Sequence, residues 1–96
     1  MSWNSVQMPN LLAAMAECDR LGADAFRTRY GPFRPARNLR MYYPGRKGRG
    51  YEARPLLAAA HADRFPHARK MVPRDFENND AHEFLIKRFG FKKREI

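Results

Sequence analysis

Seven prolines and six glycines punctuate this 96-residue chain, and their positions decide where each regular element can start and stop. Pro9 suits a first helical turn and Gly22 a C-terminal stop. Between them Met8, Leu11, Leu12, Met15 and Cys18 recur at three- and four-residue intervals, which predicts a helix over about residues 8–21. The stretch from Gly22 to Gly31 reads as a second, shorter helix, with Asp24 in its first turn and Phe26 and Tyr30 on one face. Pro32 and Pro35 then force an extended passage. Leu39, Met41 and Tyr43 alternate with Asn38, Arg40 and Tyr42, the period of a half-buried strand. A glycine-rich turn from Pro44 to Gly50 would return the chain through a strand at Tyr51–Ala53, giving a hairpin with a cationic tip.

Pro55 opens a third helix running to His61, and its many alanines imply close packing against a neighbour. Residues 64–73 read as irregular, broken by Pro66 and Pro73. Asn78 or Asn79 is the expected cap of a last helix, in which Ala81, Phe84, Leu85, Arg88 and Phe89 stack on one side and Gly90 makes the stop. Phe91 to Glu95 is either a short closing strand or a basic tail. The expected architecture is a small α+β single domain spanning 1–96: two N-terminal helices, a basic hairpin, two more helices and that final segment. Residues 8–91 form the expected core and 92–96 the tail. The length suffices for one modest core.

Charge narrows the function. The net charge is +9, and nine basic residues against one acid, Glu52, fall between Arg27 and Arg54. Phe26, Tyr30, Phe33, Tyr42, Tyr43 and Tyr51 are woven through them. Self-repulsion at this level opposes compaction, and a polyanionic partner relieves it. Three glycines within six residues let the backbone at Gly45–Gly50 approach phosphate oxygens, though the spacing is not that of a Walker loop. The expected nucleic-acid contacts are Arg37, Arg40, Arg46, Lys47, Arg49 and Arg54 on the backbone, with Tyr42 or Tyr51 against a base or sugar.

Other chemistry has little support. Cys18 is the sole cysteine, which allows no internal disulfide and no cysteine cluster for zinc; its place on the apolar helix face predicts a buried small hydrophobe. His61, Asp63 and His67 lack the spacing of a helical zinc pair, and Pro66 interrupts them. His61 is better read as packing or capping, and His67 and His82 as surface residues. Asp75, Glu77 and Asp80 read as helix N-terminal charge. No nucleophile–base pair is suggested, so neither enzyme activity, metal nor cofactor is expected. No apolar run approaches the roughly 20 residues that span a bilayer. Met1–Pro9 has no signal-peptide order, and the expected setting is cytoplasmic.

Leu21-Gly22-Ala23-Asp24-Ala25-Phe26, Tyr30-Gly31 and Pro35-Ala36-Arg37 resemble the N-terminal head domain of ScoMcrA-like restriction endonucleases. So do Gly45-Arg46, Gly50-Tyr51-Glu52-Ala53-Arg54, Leu57-Ala58-Ala59-Ala60-His61, Asp75-Phe76 and Phe89-Gly90-Phe91. The resemblance spans about residues 13–91. It implies a domain that, in the family, precedes modules reading modified DNA and an HNH nuclease. The nuclease motif itself is absent here, so the expectation is a stand-alone relative or one piece of a larger system, binding DNA without cutting it and sensing modification. The rival expectation is a basic module that docks an acidic host or nuclease protein. RNA binding ranks behind both, for want of an RNA-binding signature.

Overall fold

The computed structural model describes residues 5–35, 39–46, 50–77 and 80–95. Four helices and a two-stranded antiparallel sheet make up the described α+β fold. In chain order they are α1 (Met8–Leu21), α2 (Ala23–Tyr30), β1 (Leu39–Tyr42), α3 (Ala53–Arg64), α4 (Ala81–Phe89) and β2 (Lys92–Glu95), with a 3-10 turn at Pro73–Phe76.

The first helix begins where Pro9 allows, and the Asn10 side chain accepts a 2.9 Å hydrogen bond from the Gln7 amide to close its open end. Asn10 also donates to Asp63 at 2.8 Å, tying α1 to α3. Leu11, Ala14 and Met15 are buried, whereas Leu12 is exposed, so the buried stripe is narrower than the spacing predicts. Cys18 is half-buried against the core, and burial, reinforced by Asp19, Glu52 and Glu17, pushes its thiol pKa up to about 11.

The third helix is the centre of the molecule. Leu56, Leu57, Ala58, Ala59, Ala60 and His61 are all buried in it, and its alanine surface lets α1 lie close alongside. It starts at Ala53, two residues before Pro55, because proline is tolerated throughout the first turn, where amides lack helical acceptors. It runs through Arg64, past the predicted end.

The predicted returning strand at Tyr51–Ala53 is reduced to one bridge. Tyr51 and Met41 exchange both backbone hydrogen bonds, at 2.8 and 2.9 Å, and the chain then enters α3. The full partner of β1 is instead β2, in the register Leu39↔Glu95, Arg40↔Arg94, Met41↔Lys93 and Tyr42↔Lys92. Residues 92–95 are therefore a strand rather than a tail. The reversal that permits this pairing is a left-handed glycine stop of the αL kind: Gly90, at φ 77°, donates to Ile86 O, and Phe91 donates to Leu85 O.

Asn78 and Asn79 lie outside the described residues, and the cap of α4 is Asp80, which accepts from the Glu83 amide at 3.1 Å. The preceding 3-10 turn, absent from the sequence expectation, is held by Asp75. That carboxylate takes two hydrogen bonds from Arg69, at 2.7 and 3.0 Å, and one from the Val72 amide at 2.8 Å. Arg69 and then Val72 hold its pKa down at about 2.

Candidate nucleic-acid interface

Alternation along β1 turns Met41 into the core, where it is fully buried, and leaves Arg40 and Tyr42 on the opposite face. Residues directly opposite in an antiparallel pair share a face. The register therefore places Arg94 beside Arg40 and Lys92 beside Tyr42. The Arg94 guanidinium carbon stands 5.2 Å from the centroid of the Tyr42 ring, within cation–π range. All four residues of β2 are exposed. The outer face of the sheet is thus three cations around one half-buried tyrosine.

Gly50 completes this face from the Tyr51 side. A Cβ built on it would lie 2.4 Å from Arg40 Cβ and 2.8 Å from the Tyr42 ring. Only glycine lets the returning backbone come this close, and the Tyr42 ring occupies the space a side chain would have taken.

Tyr43-Pro44-Gly45-Arg46 forms a tight turn in which the Arg46 amide donates to Tyr43 O at 3.1 Å and Gly45 takes φ 83°. Proline followed by positive-φ glycine is the pattern of a type II turn. The turn aims Arg46 back at the body. Its guanidinium donates to Asp19 at 2.9 Å and to the Tyr51 hydroxyl at 3.1 Å, while that hydroxyl donates to Asp19 at 2.8 Å. Burial and then the Asp19 carboxylate raise the Tyr51 pKa, while its hydrogen bonds to Tyr51 and Asp19 raise that of Arg46.

Two other arginines of the cluster are also bound to acids. Arg27 donates to Glu52 and to Asp24, both at 2.7 Å, with Glu52 almost wholly buried. Arg29 lies 3.3 Å from Glu17, which also accepts a short hydrogen bond from the Tyr30 hydroxyl. Folding therefore brings Glu17, Asp19 and Asp24, from α1 and α2, onto a stretch that in the sequence holds one acid. The basic cluster is partly neutralised from outside itself.

The fold distributes the expected contacts unevenly. Arg37, Lys47 and Arg49 lie outside the described residues. Arg40 and Tyr42 sit together on the sheet. Arg54 is exposed, its guanidinium 5.7 Å from the Phe76 ring. Arg46 is drawn into the Asp19–Tyr51 triangle. Tyr51 is only 4% exposed, a ring packed in the core rather than one offered for stacking. Lys92 and Arg94 escaped the sequence reading as site residues; the visible signal was the run Lys92-Lys93-Arg94, whose partner strand is fifty residues away.

The remaining polar residues serve the fold. His61 is buried against Phe65, with ring centroids 5.1 Å apart, and burial lowers its pKa. His67 is exposed. His82 is half-buried rather than on the surface, 3.6 Å from Asp80, and desolvation lowers its pKa too. Among the described residues, no three His, Cys, Asp or Glu side chains gather as a metal cluster, and no helix is long and apolar enough to cross a membrane.

A family model for the N-terminal head domain of ScoMcrA-like proteins matches residues 4–95, nearly the whole chain. The chain belongs to this head-domain family. The ScoMcrA-like head domain is a part of restriction enzymes other than their HNH catalytic domain, which gives this head domain a DNA-related setting. Searches of curated proteins and of solved structures found no match.

Proposed function

We propose that this head domain is a non-enzymatic DNA-binding module that grips the phosphate backbone of a duplex through the arginine-rich middle of the chain. The observation that carries the reading is Arg40 beside Tyr42 on the outer face of the sheet, in a +9 chain whose family belongs to restriction enzymes. Arg37, Arg40, Lys47, Arg49 and Arg54 contact phosphates, and Tyr42 lies against a base or sugar. Arg46 contributes by fixing the root of the glycine-rich turn. Tyr51, buried, holds Arg46 and makes no contact of its own.

Fluorescence anisotropy with a labelled duplex tests this. With about five phosphates neutralised, log K should fall against log salt with a slope of about −4 to −5. Absence of binding at low salt would overturn the reading. Sensing of modified bases is the finer part of the proposal, supported by family membership. It requires a difference in affinity between cytosine-methylated and unmodified duplexes.

Docking to an acidic protein calls for an apolar patch beside the basic one. Among the described residues, the exposed large apolar side chains are Leu12 and Leu21. Nine residues apart on a helix of 3.6 per turn, they point to opposite sides of α1. They form no such patch.

A further inference from the structure

We infer that β2 shares in the phosphate grip: Lys92 and Arg94, together with Arg40, form a phosphate-binding platform on the outer face of the sheet, with Tyr42 as its floor. The inference rests on the DNA-binding reading and adds β2 to the site that makes the contacts.

Three observations point the same way. Arg40 and Arg94 are directly opposite in register, so their side chains share one face of the sheet, where a phosphate can be reached from both strands. Second, Arg94 is held over the Tyr42 ring. Guanidinium fixed against an aromatic face loses less freedom on binding phosphate than a swinging side chain does. Third, Lys92 and Arg94 are two residues apart on one strand, about 7 Å, which lets each take a different phosphate.

Lysine on an edge strand also blunts sheet-to-sheet aggregation. That accounts for Lys92 and Lys93. It does not account for an arginine set opposite another arginine and stacked on a tyrosine.

The experiment compares the parent chain with Lys92→Gln/Arg94→Gln, and with Arg20→Gln/Arg64→Gln, which removes the same charge from α1 and α3. Each is titrated with duplex DNA across a salt series. The platform predicts that the sheet variant loses affinity on the order of 10- to 100-fold near 0.1 M salt, and that its salt slope shrinks by about 2. The helix variant should retain more of both. The charge-keeping variant Lys92→Arg/Arg94→Lys should keep the parent's salt slope, since the number of cations is unchanged, while losing affinity with the contact to Tyr42. Each variant's thermal melt and the single variants Lys92→Gln and Arg94→Gln, each reading about one unit of slope, guard against loss of folding. If the parent binds and the sheet variant matches the helix variant, the platform is overturned while DNA binding stands. If the parent does not bind, both fall. A sheet variant that aggregates yet binds with the parent's slope assigns Lys92 and Arg94 to edge protection and overturns the platform.

Discussion

Tyr51 donates its hydroxyl proton to Asp19 at 2.8 Å, joining positions 32 apart and pinning the returning backbone to the end of α1. Arg46 closes the triangle by donating to both. Tyr51→Phe keeps the buried ring and removes the polar link. We expect a loss of about 1–2 kcal/mol, read by urea denaturation, because Asp19 keeps only its arginine. Stability equal to the parent would show that the triangle contributes nothing net.

Gly50→Ala should be costlier than an ordinary glycine replacement. The new methyl would meet Arg40 Cβ and the Tyr42 ring below normal contact distance, and the first of these atoms is fixed to the backbone of β1. Overpacking of this kind costs roughly 1–3 kcal/mol. For a domain of this size that is a fall in Tm of the order of 4–20 °C. An unchanged melt would mean that the third lane of the sheet can move aside.

Arg94→Glu should act in opposite directions on stability and binding. It places a carboxylate instead of a second guanidinium opposite Arg40 and gives up the contact with Tyr42. We expect Tm to hold or to rise by about 1–5 °C, with DNA affinity falling more than in Arg94→Gln. A marked drop in Tm would show that the guanidinium–tyrosine contact outweighs the new charge pair.

Acid should unfold the domain in two stages. The folded-state pKa values of His61 and His82 are lowered by burial, so the unfolded chain binds protons first and stability declines as pH drops below the ordinary histidine value of about 6.5. Asp75 is also lowered, to about 2. Its stabilisation is present above the ordinary carboxylate range and is lost as pH falls through about 2. Asp75→Asn should flatten the second stage and cost on the order of 1.5–3 kcal/mol at neutral pH. A pH–stability curve that keeps its slope between pH 4 and 2 in this variant would refute the assignment.

The helices were legible because their information is local. Met8 to Cys18 carries its own period, Gly22 and Gly31 mark its neighbour's ends, and α1 and α2 lie as read. The sheet was legible only in part. Leu39 to Tyr42 shows alternation, but nothing within it says that Lys92 to Glu95, rather than the nearby Tyr51, supplies the ladder. A run of Lys-Lys-Arg-Glu has no apolar alternation of its own, since every one of its side chains is exposed. The candidate site suffered in the same way. Charge counted along the chain missed Asp24, one helical turn before Arg27, and missed Glu17 and Asp19, which reach Arg29 and Arg46 only when α2 and the Tyr43–Arg46 turn pack on α1.

The pairing of β1 with β2 also sets an order of events during synthesis. Helices form from neighbours and can assemble as the chain emerges. Beyond the Met41–Tyr51 bridge, Leu39 to Tyr42 must wait for a ladder partner about fifty positions later, and closing so long a loop is slow. Until the end of the described segment has left the ribosome, the arginine and tyrosine of β1 stand on a strand paired through that one bridge. Assembly of the sheet should therefore come late, with the arrival of Lys92 to Glu95.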